Sequence, residues 1–186
     1  MFDERLFQSW VLLLQGWACD GQLLSAAIRS LNLSAKNPPQ QLKSLISRLS
    51  EGDLSDLPAI KLLKAEDMPG IAGAYITNTI YLNRGWVRSA ADETVISVLT
   101  EEFGHHLDQR LNAKDTHGDE GKLLTYILTS KNGINEKKSA ILTGQDDRRK
   151  IRINSQWITA EAAILGPISG SNFITGTNRS DTITDN

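Results

Sequence analysis

Residues 89–111 read SAADETVISVLTEEFGHHLDQRL, and this stretch decides the fold because it predicts one long helix, with helix-start residues at Ser89 and Asp92 and a cluster of polar side chains further along. Apolar residues recur every four positions through about five turns, at Val95, Leu99, Phe103, Leu107 and Leu111. At about 100° per residue, Glu101, His105 and Asp108 fall within roughly 60° of one another, on the side opposite the apolar residues. Three groups that could bind a metal therefore share one face.

The segment TEEFGHHLDQ (100–109) keeps the spacing of the HExxH motif of zinc peptidases, with a carboxylate in place of the first histidine. In that motif, two ligands one helical turn apart reach a single ion, and the intervening glutamate activates metal-bound water. Glu101 and His105 occupy the two ligand positions here. Glu102 occupies the position of the general base.

A third ligand is needed, and the chain offers it in two places. Asp108 lies nearly one turn further along the same helix, whereas Asp119 and Glu120 follow a polar loop and begin the next predicted helix. We favour the second helix, because a site built from two elements leaves coordination positions open for water. A carboxylate in place of an imidazole shifts the preference from zinc toward manganese, iron or calcium.

Two further interpretations of the same face remain open. The acidic residues and His105 could form an inert polar face or hydrogen-bonded cluster, or they could bind manganese or calcium without hydrolysis. Neighbouring His106 points into the apolar sector and is expected to be a packing residue. His117, in the loop, is expected to be solvated.

Composition narrows the class of protein. The 186 residues are enough for one main domain with small appendages. Lys and Arg number 20 against 22 Asp and Glu, so there is no strong positive field to hold nucleic acid or an anionic membrane. A single cysteine, Cys19, excludes an intramolecular disulfide and a cysteine zinc cluster. The N-terminal run WVLLL (10–14) is too short for a signal peptide or a membrane span.

The remaining patterns predict an α+β fold. Helical spacing marks two short helices within 4–31 and a third in QQLKSLISRLS (40–50). Runs rich in Ile, Tyr and Thr within 59–83 predict strands of a small antiparallel sheet, and KIRINSQWITAE (150–161) predicts a hairpin with its turn at Asn154 and Ser155. We therefore divide the chain into a helical segment (1–52), a main domain (53–165) and a tail (166–186).

Two stretches together resemble a known group of proteins. GAYITNTIYLNRGWV (73–87) and VLTEEFGHHLDQRLNAKDTHGDEG (98–121) are similar to a zincin-like domain of large bacterial, especially cyanobacterial, proteins that carry haemolysin-type calcium-binding repeats. The resemblance covers roughly residues 59–163. It implies a zincin-like fold, a Glu at the first ligand position, and a relation to metallopeptidases that act on peptide or protein substrates. His117 departs from the family pattern, which has Pro there.

The C-terminal segment GTNRSDTIT (176–184) resembles the calcium-binding nonapeptide of those repeats in a degenerate form, with Asp181 at the metal-binding position. The resemblance implies that calcium is a second candidate ion. It also implies export to the cell surface or medium without an N-terminal signal peptide, with a cytoplasmic location as the alternative. If the domain is inactive, the resemblance implies a structural or metal-binding head for the repeats.

Overall fold

The structure is a computed structural model that describes residues 2–112, 119–130, 134–142 and 148–165. The predicted α+β class is confirmed, since seven helices and one five-stranded sheet are formed by these residues. Two predicted features, the loop residue His117 and the repeat residue Asp181 in the tail, lie outside the described residues.

Three N-terminal helices form where the apolar spacing predicts them: α1 (Glu4–Cys19), α2 (Gln22–Ser30) and α3 (Gln40–Ser50). Asp3 caps α1, because its carboxylate accepts hydrogen bonds from the amides of Arg5 and Leu6. Their buried side chains belong to the same apolar cluster as those of the main domain, so residues 1–52 and 53–165 share one core.

No single described helix is long and apolar enough to cross a membrane. Taken together, α1 and α2 would pass that test on length and composition, but they meet at an angle of 90°.

The sheet has the order β1-β3-β2-β5-β4, from the strands β1 (Ala59–Leu63), β2 (Ile71–Ile76), β3 (Thr79–Asn83), β4 (Arg148–Ile153) and β5 (Gln156–Ile164). Three of its pairings are antiparallel, but β1 runs parallel to β3, so the sheet is mixed and the expectation of an antiparallel sheet was wrong in that respect. The connection from β1 to β3 contains a short 3₁₀ turn, Ala65–Asp67, and the strand β2, and it is long enough for a parallel pairing. The predicted hairpin turn at Asn154 and Ser155 is confirmed, and both residues have positive φ, as two-residue turns of this type require.

Four helices complete the described part of the chain: α4 (Arg84–Val87), α5 (Asp92–Leu111), α6 (Glu120–Thr129) and α7 (Glu136–Leu142). The predicted long helix is α5, and it begins at Asp92, one of the two residues with helix-start chemistry. Short α4 and α7 were not predicted, since neither is long enough to display a helical period.

Helix α5 is buried on all sides. It contacts α1, α6 and the strands β2 and β5, and every residue from 95 to 108 is buried, including Glu101, Glu102 and His105. On the side of α1, the ring of Trp10 meets Phe103 edge-on at 6.0 Å, and its indole nitrogen donates to the Thr100 hydroxyl at 3.3 Å. The interpretation of the polar residues as a solvated helix face is therefore wrong, because those residues are inside the molecule.

Candidate metal centre

Helices α5 and α6 approach each other to backbone contact through two glycines. A Cβ atom added to Gly104 would lie 2.5 Å from the Cα of Gly121, and one added to Gly121 would lie 2.3 Å from the carbonyl oxygen of Glu101. No side chain fits at either position, so the first turn of α6 can rest directly on α5. This approach places Glu120, the residue before Gly121, beside the polar residues of α5.

His105, Glu120 and Glu161 form the compact group of candidate ligands, which we call the metal centre. The Nδ1 atom of His105 lies 2.7 Å from Oε1 of Glu120 and 3.3 Å from Oε2 of Glu161. One ligand atom from each residue falls within 4.8 Å of the other two, so the group could hold a metal ion. The His105 and Glu120 side chains are fully enclosed, whereas that of Glu161 is 23% exposed and gives the centre an open side.

The sequence predicted two of these three residues. Glu120 was one of the three candidates for the third ligand, and it comes from the second helix, as favoured. Glu161 was missed. It lies in β5, where alternation of exposed and buried residues was the only local signal, and its approach to His105 depends on the pairing of β5 with β2.

The other predicted ligands are buried but stand outside the metal centre. Asp119 caps α6, because its Oδ1 accepts from the amide of Lys122 at 2.8 Å. Asp108 accepts from the side-chain amide of Asn112 at 2.6 Å. Glu101 is 3% exposed and is not part of the three-residue group. The described geometry thus gives Asp119 a capping role and gives Asp108 a contact within its own helix.

Glu102 lies beneath the sheet on the same helix. Its Oε1 accepts a hydrogen bond from the amide of Ala163 in β5 at 3.0 Å, while its Oε2 has no hydrogen-bond partner among the described residues. Gly73 in β2 makes the room for this carboxyl group, since an added Cβ there would lie 2.9 Å from Oε1. Burial raises the pKa of Glu102 well above its usual range, and the charge of Glu101 raises it further.

The pKa of His105 is also raised, although burial acts on an imidazole in the opposite direction. Burial alone lowers the pKa of an imidazole, but the hydrogen bond with Glu120 and the charges of Glu102, Glu120 and Glu161 outweigh it. The pKa of His105 is therefore held well above its usual range. The carboxylates around it stabilise positive charge at this point, whether it is carried by a proton or by a metal ion.

An open cavity of about 410 Å³ adjoins the metal centre. Its lining includes Glu161 from the centre itself, Asp108 of α5, Arg148 of β4, and Tyr75 and Thr77 from the end of β2. Thr77 has a φ of 40°, which a β-branched residue rarely adopts. Glu161 and the strained turn after β2 are therefore both within the lining that a ligand in this cavity would meet.

His106 has a packing role, as predicted. Its ring stacks against Phe103 at 5.8 Å and meets Tyr75 edge-on, and its Nε2 donates to the carbonyl oxygen of Asp56 at 2.9 Å. The Nδ1 atom lies 3.2 Å from the Tyr75 hydroxyl. Burial lowers the pKa of His106 to about 4, so this histidine is neutral near pH 7.

No protein family model, no curated protein and no solved structure matches this chain. The function is accordingly inferred from the site itself.

Proposed function

We propose that the chain is a zincin-like, metal-dependent peptide hydrolase in which His105, Glu120 and Glu161 hold a divalent ion. The observation that carries the proposal is the meeting of one imidazole and two carboxylates within 4.8 Å at the edge of an open cavity. A closed site of this composition would be structural. One that opens on a cavity leaves coordination positions for water and substrate.

The donor set fits a divalent cation. Two carboxylates bring two negative charges to the centre, and the Oε2 atom of Glu120 is buried without a hydrogen-bond partner among the described residues. Buried carboxylates are costly unless they are paired, so a divalent cation would offset their charge. One nitrogen and two oxygen donors suit zinc, manganese or iron, and this choice of metal is part of the proposal.

In this mechanism the bound ion supplies a Lewis acid for the peptide carbonyl and for water. The chain's own residues provide orientation and proton transfer. Glu161 and the cavity beside it direct substrate to the centre, and Glu102, in the position of the general base, accepts a proton through Oε2 while Ala163 holds Oε1. The resemblance to zincin-like domains supports the same assignment.

A second candidate function follows from one observation about Glu102. This residue has no exposed surface and is not among the residues that line the cavity. If it cannot reach the water that must be activated, the same centre serves a binding module that holds a metal without hydrolysing peptides. The experiment below separates the two functions.

Metal analysis of protein purified without added metal tests the centre. The expected result is about one transition-metal ion per chain, reduced at least tenfold in His105→Ala, Glu120→Gln and Glu161→Gln. Glu93→Gln is the matched control, since Glu93 is an exposed carboxylate on the same helix. Protein that takes up no metal and gains no stability from added zinc, manganese or iron would disprove both candidate functions.

Hydrolysis of an unstructured protein substrate then tests the reaction. Glu102→Gln should retain the metal and lose activity by at least about a hundredfold, because general bases commonly contribute 10²- to 10⁴-fold. Full metal content with no hydrolysis in the native chain would favour the binding module. Loss of metal in Glu102→Gln would contradict its assignment as the base.

A further inference from the structure

The face of the β4–β5 hairpin that carries Glu161, which contacts His105 of α5, also carries basic residues of β4. In the strand register, Arg148 lies opposite Glu161, Lys150 opposite Thr159, and Arg152 opposite Trp157. Because side chains alternate along a strand, all six project from the same side of the hairpin. We call this surface the cationic ledge, defined by the positions 148, 150, 152, 157, 159 and 161.

The ledge is open over most of its length. Arg148, Lys150, Trp157 and Thr159 are exposed, whereas the intervening residues Ile151 and Ala160 are buried on the opposite side of the sheet. Basic residues stand on both sides of β4, since Arg149 lies between Arg148 and Lys150, and the ledge residues are those that share the side of Glu161. They form one continuous side of the hairpin.

The ledge begins at the metal centre. Arg148, Thr159 and Glu161 all line the cavity, so its first pair of residues is shared with the site. From Arg148 to Arg152 the strand advances four residues, or about 13 Å at roughly 3.3 Å per residue. A chain bound in the cavity would therefore pass along the ledge when it leaves the centre in this direction.

The cations of the ledge differ in what else they contact. Arg152 donates to Asp67 at 2.6 Å, and its guanidinium lies 5.7 Å from the centre of the Trp157 ring, so it is held in place. Lys150, in the middle, forms no ion pair with the residues the structure describes and is exposed. The whole chain has a net charge of −2, so this positive surface is a local feature.

We propose that the substrate of the metal centre is an acidic peptide, bound in extended form with its carboxylates along the cationic ledge. This inference rests on the proposed function and names its substrate class. In an extended peptide, alternate side chains lie on one side at about 6.6 Å intervals, which is the spacing of Arg148, Lys150 and Arg152. Charge complementarity of this kind favours the acidic partner over a neutral one by both attraction and association rate.

The opposite edge of the sheet provides the control. Strand β1 is the other outer strand, and Lys61 is its single Lys or Arg and is exposed. Lysines on edge strands also deter aggregation. A role limited to that purpose would make Lys61 and Lys150 equivalent in any binding measurement.

Fluorescence anisotropy of a labelled peptide with alternating Glu residues tests the proposal, with a Gln-for-Glu peptide as comparison. The acidic peptide should bind at least tenfold more tightly than the neutral peptide. Lys150→Glu should weaken that binding about tenfold or more, while Lys61→Glu changes it less than twofold. Equal binding of the two peptides, or equal effects of the two variants, would overturn the proposal. A single-stranded oligonucleotide of the same charge that competes as well as the acidic peptide would also overturn it.

Hydrolysis separates this inference from the proposed function. Acidic peptide that binds through Lys150 but is not cleaved would retain the ligand class and contradict the hydrolase proposal. Cleavage of acidic and neutral peptides with the same kcat/KM, unaffected by Lys150→Glu, would retain the hydrolase and overturn the substrate class.

Discussion

Replacement of Gly121 by Ala should damage the fold and the metal centre together. The added Cβ would lie 2.3 Å from the carbonyl oxygen of Glu101 and 2.8 Å from Nε2 of His105. Backbone atoms cannot rotate away, so α5 and α6 must separate by about 1 Å to restore ordinary contact. Overpacking of this kind costs up to about 3 kcal/mol, against about 1 kcal/mol gained from the helix propensity of Ala. The free energy of unfolding should therefore fall by about 2 kcal/mol.

If the centre binds the proposed metal ion, the same displacement should weaken that binding, because ligand distances must hold to within about 0.2 Å. We expect at least about a tenfold loss of affinity. Urea unfolding measures the first effect, and metal titration in a competing chelator measures the second. Gly16→Ala in α1 is the matched control, since nothing lies within 4 Å of an added Cβ there. It should stabilise the protein by about 0.5 to 1 kcal/mol. If Gly121→Ala were as stable as Gly16→Ala and kept its metal, the close approach of α5 and α6 would be refuted.

Two further substitutions test the surroundings of the site. Burial of Asp56 raises its pKa, but hydrogen bonds from Arg48 and Arg110 outweigh burial and lower it below 3.8. The pKa of Asp56 in the unfolded chain is the ordinary value of 3.8. The stability that the ionised carboxylate contributes is fully present above that pH and is lost as the pH falls through the pKa of the folded state. Asp56→Asn should thus cost about 1 kcal/mol near pH 7, discounted for the half-exposed arginines, with the loss shrinking below pH 3.8 in urea unfolding. If Asp56→Asn lowered the free energy of unfolding equally near pH 7 and below pH 3.8, the ion pairs of Asp56 with Arg48 and Arg110 would be contradicted. Thr77→Asn should raise the free energy of unfolding by about 0.5 to 1 kcal/mol, because Asn adopts positive φ at less cost. No gain in the same assay would show that the turn is not strained.

Most elements of the fold could be predicted because their signals are local. The period of apolar residues indicated α5, and a polar turn indicated the hairpin at Asn154 and Ser155. The order of the strands could not be predicted in this way. The parallel pairing of β1 with β3 joins strands that are separated by β2 in the chain, and no local pattern specifies such a crossover.

The residues of the candidate site fall into the same two groups, those that local sequence patterns indicate and those that depend on tertiary packing. His105 shares one helix with Glu101 and Glu102, and Glu120 follows in the next, so helical geometry and a short loop indicate these residues as candidates. The burial of these polar side chains in the folded protein was not predicted. An amphipathic helix leaves its polar face in water, but α1, α6 and the sheet enclose α5, and charges that would cost little at the surface must then be paired or neutralised.

The sequence by itself determined that Glu102 and His105 lie on one helix with a polar loop leading to Glu120. Only the tertiary structure decided that Glu161 completes the group, and that Glu101 and Asp119 do not. The physical reason is the range of the interactions involved. Helix geometry fixes neighbours three or four residues apart. By contrast, Glu161 reaches His105 through strand register and Glu120 reaches it through the contact of Gly104 with Gly121, and only packing of the whole chain can establish either.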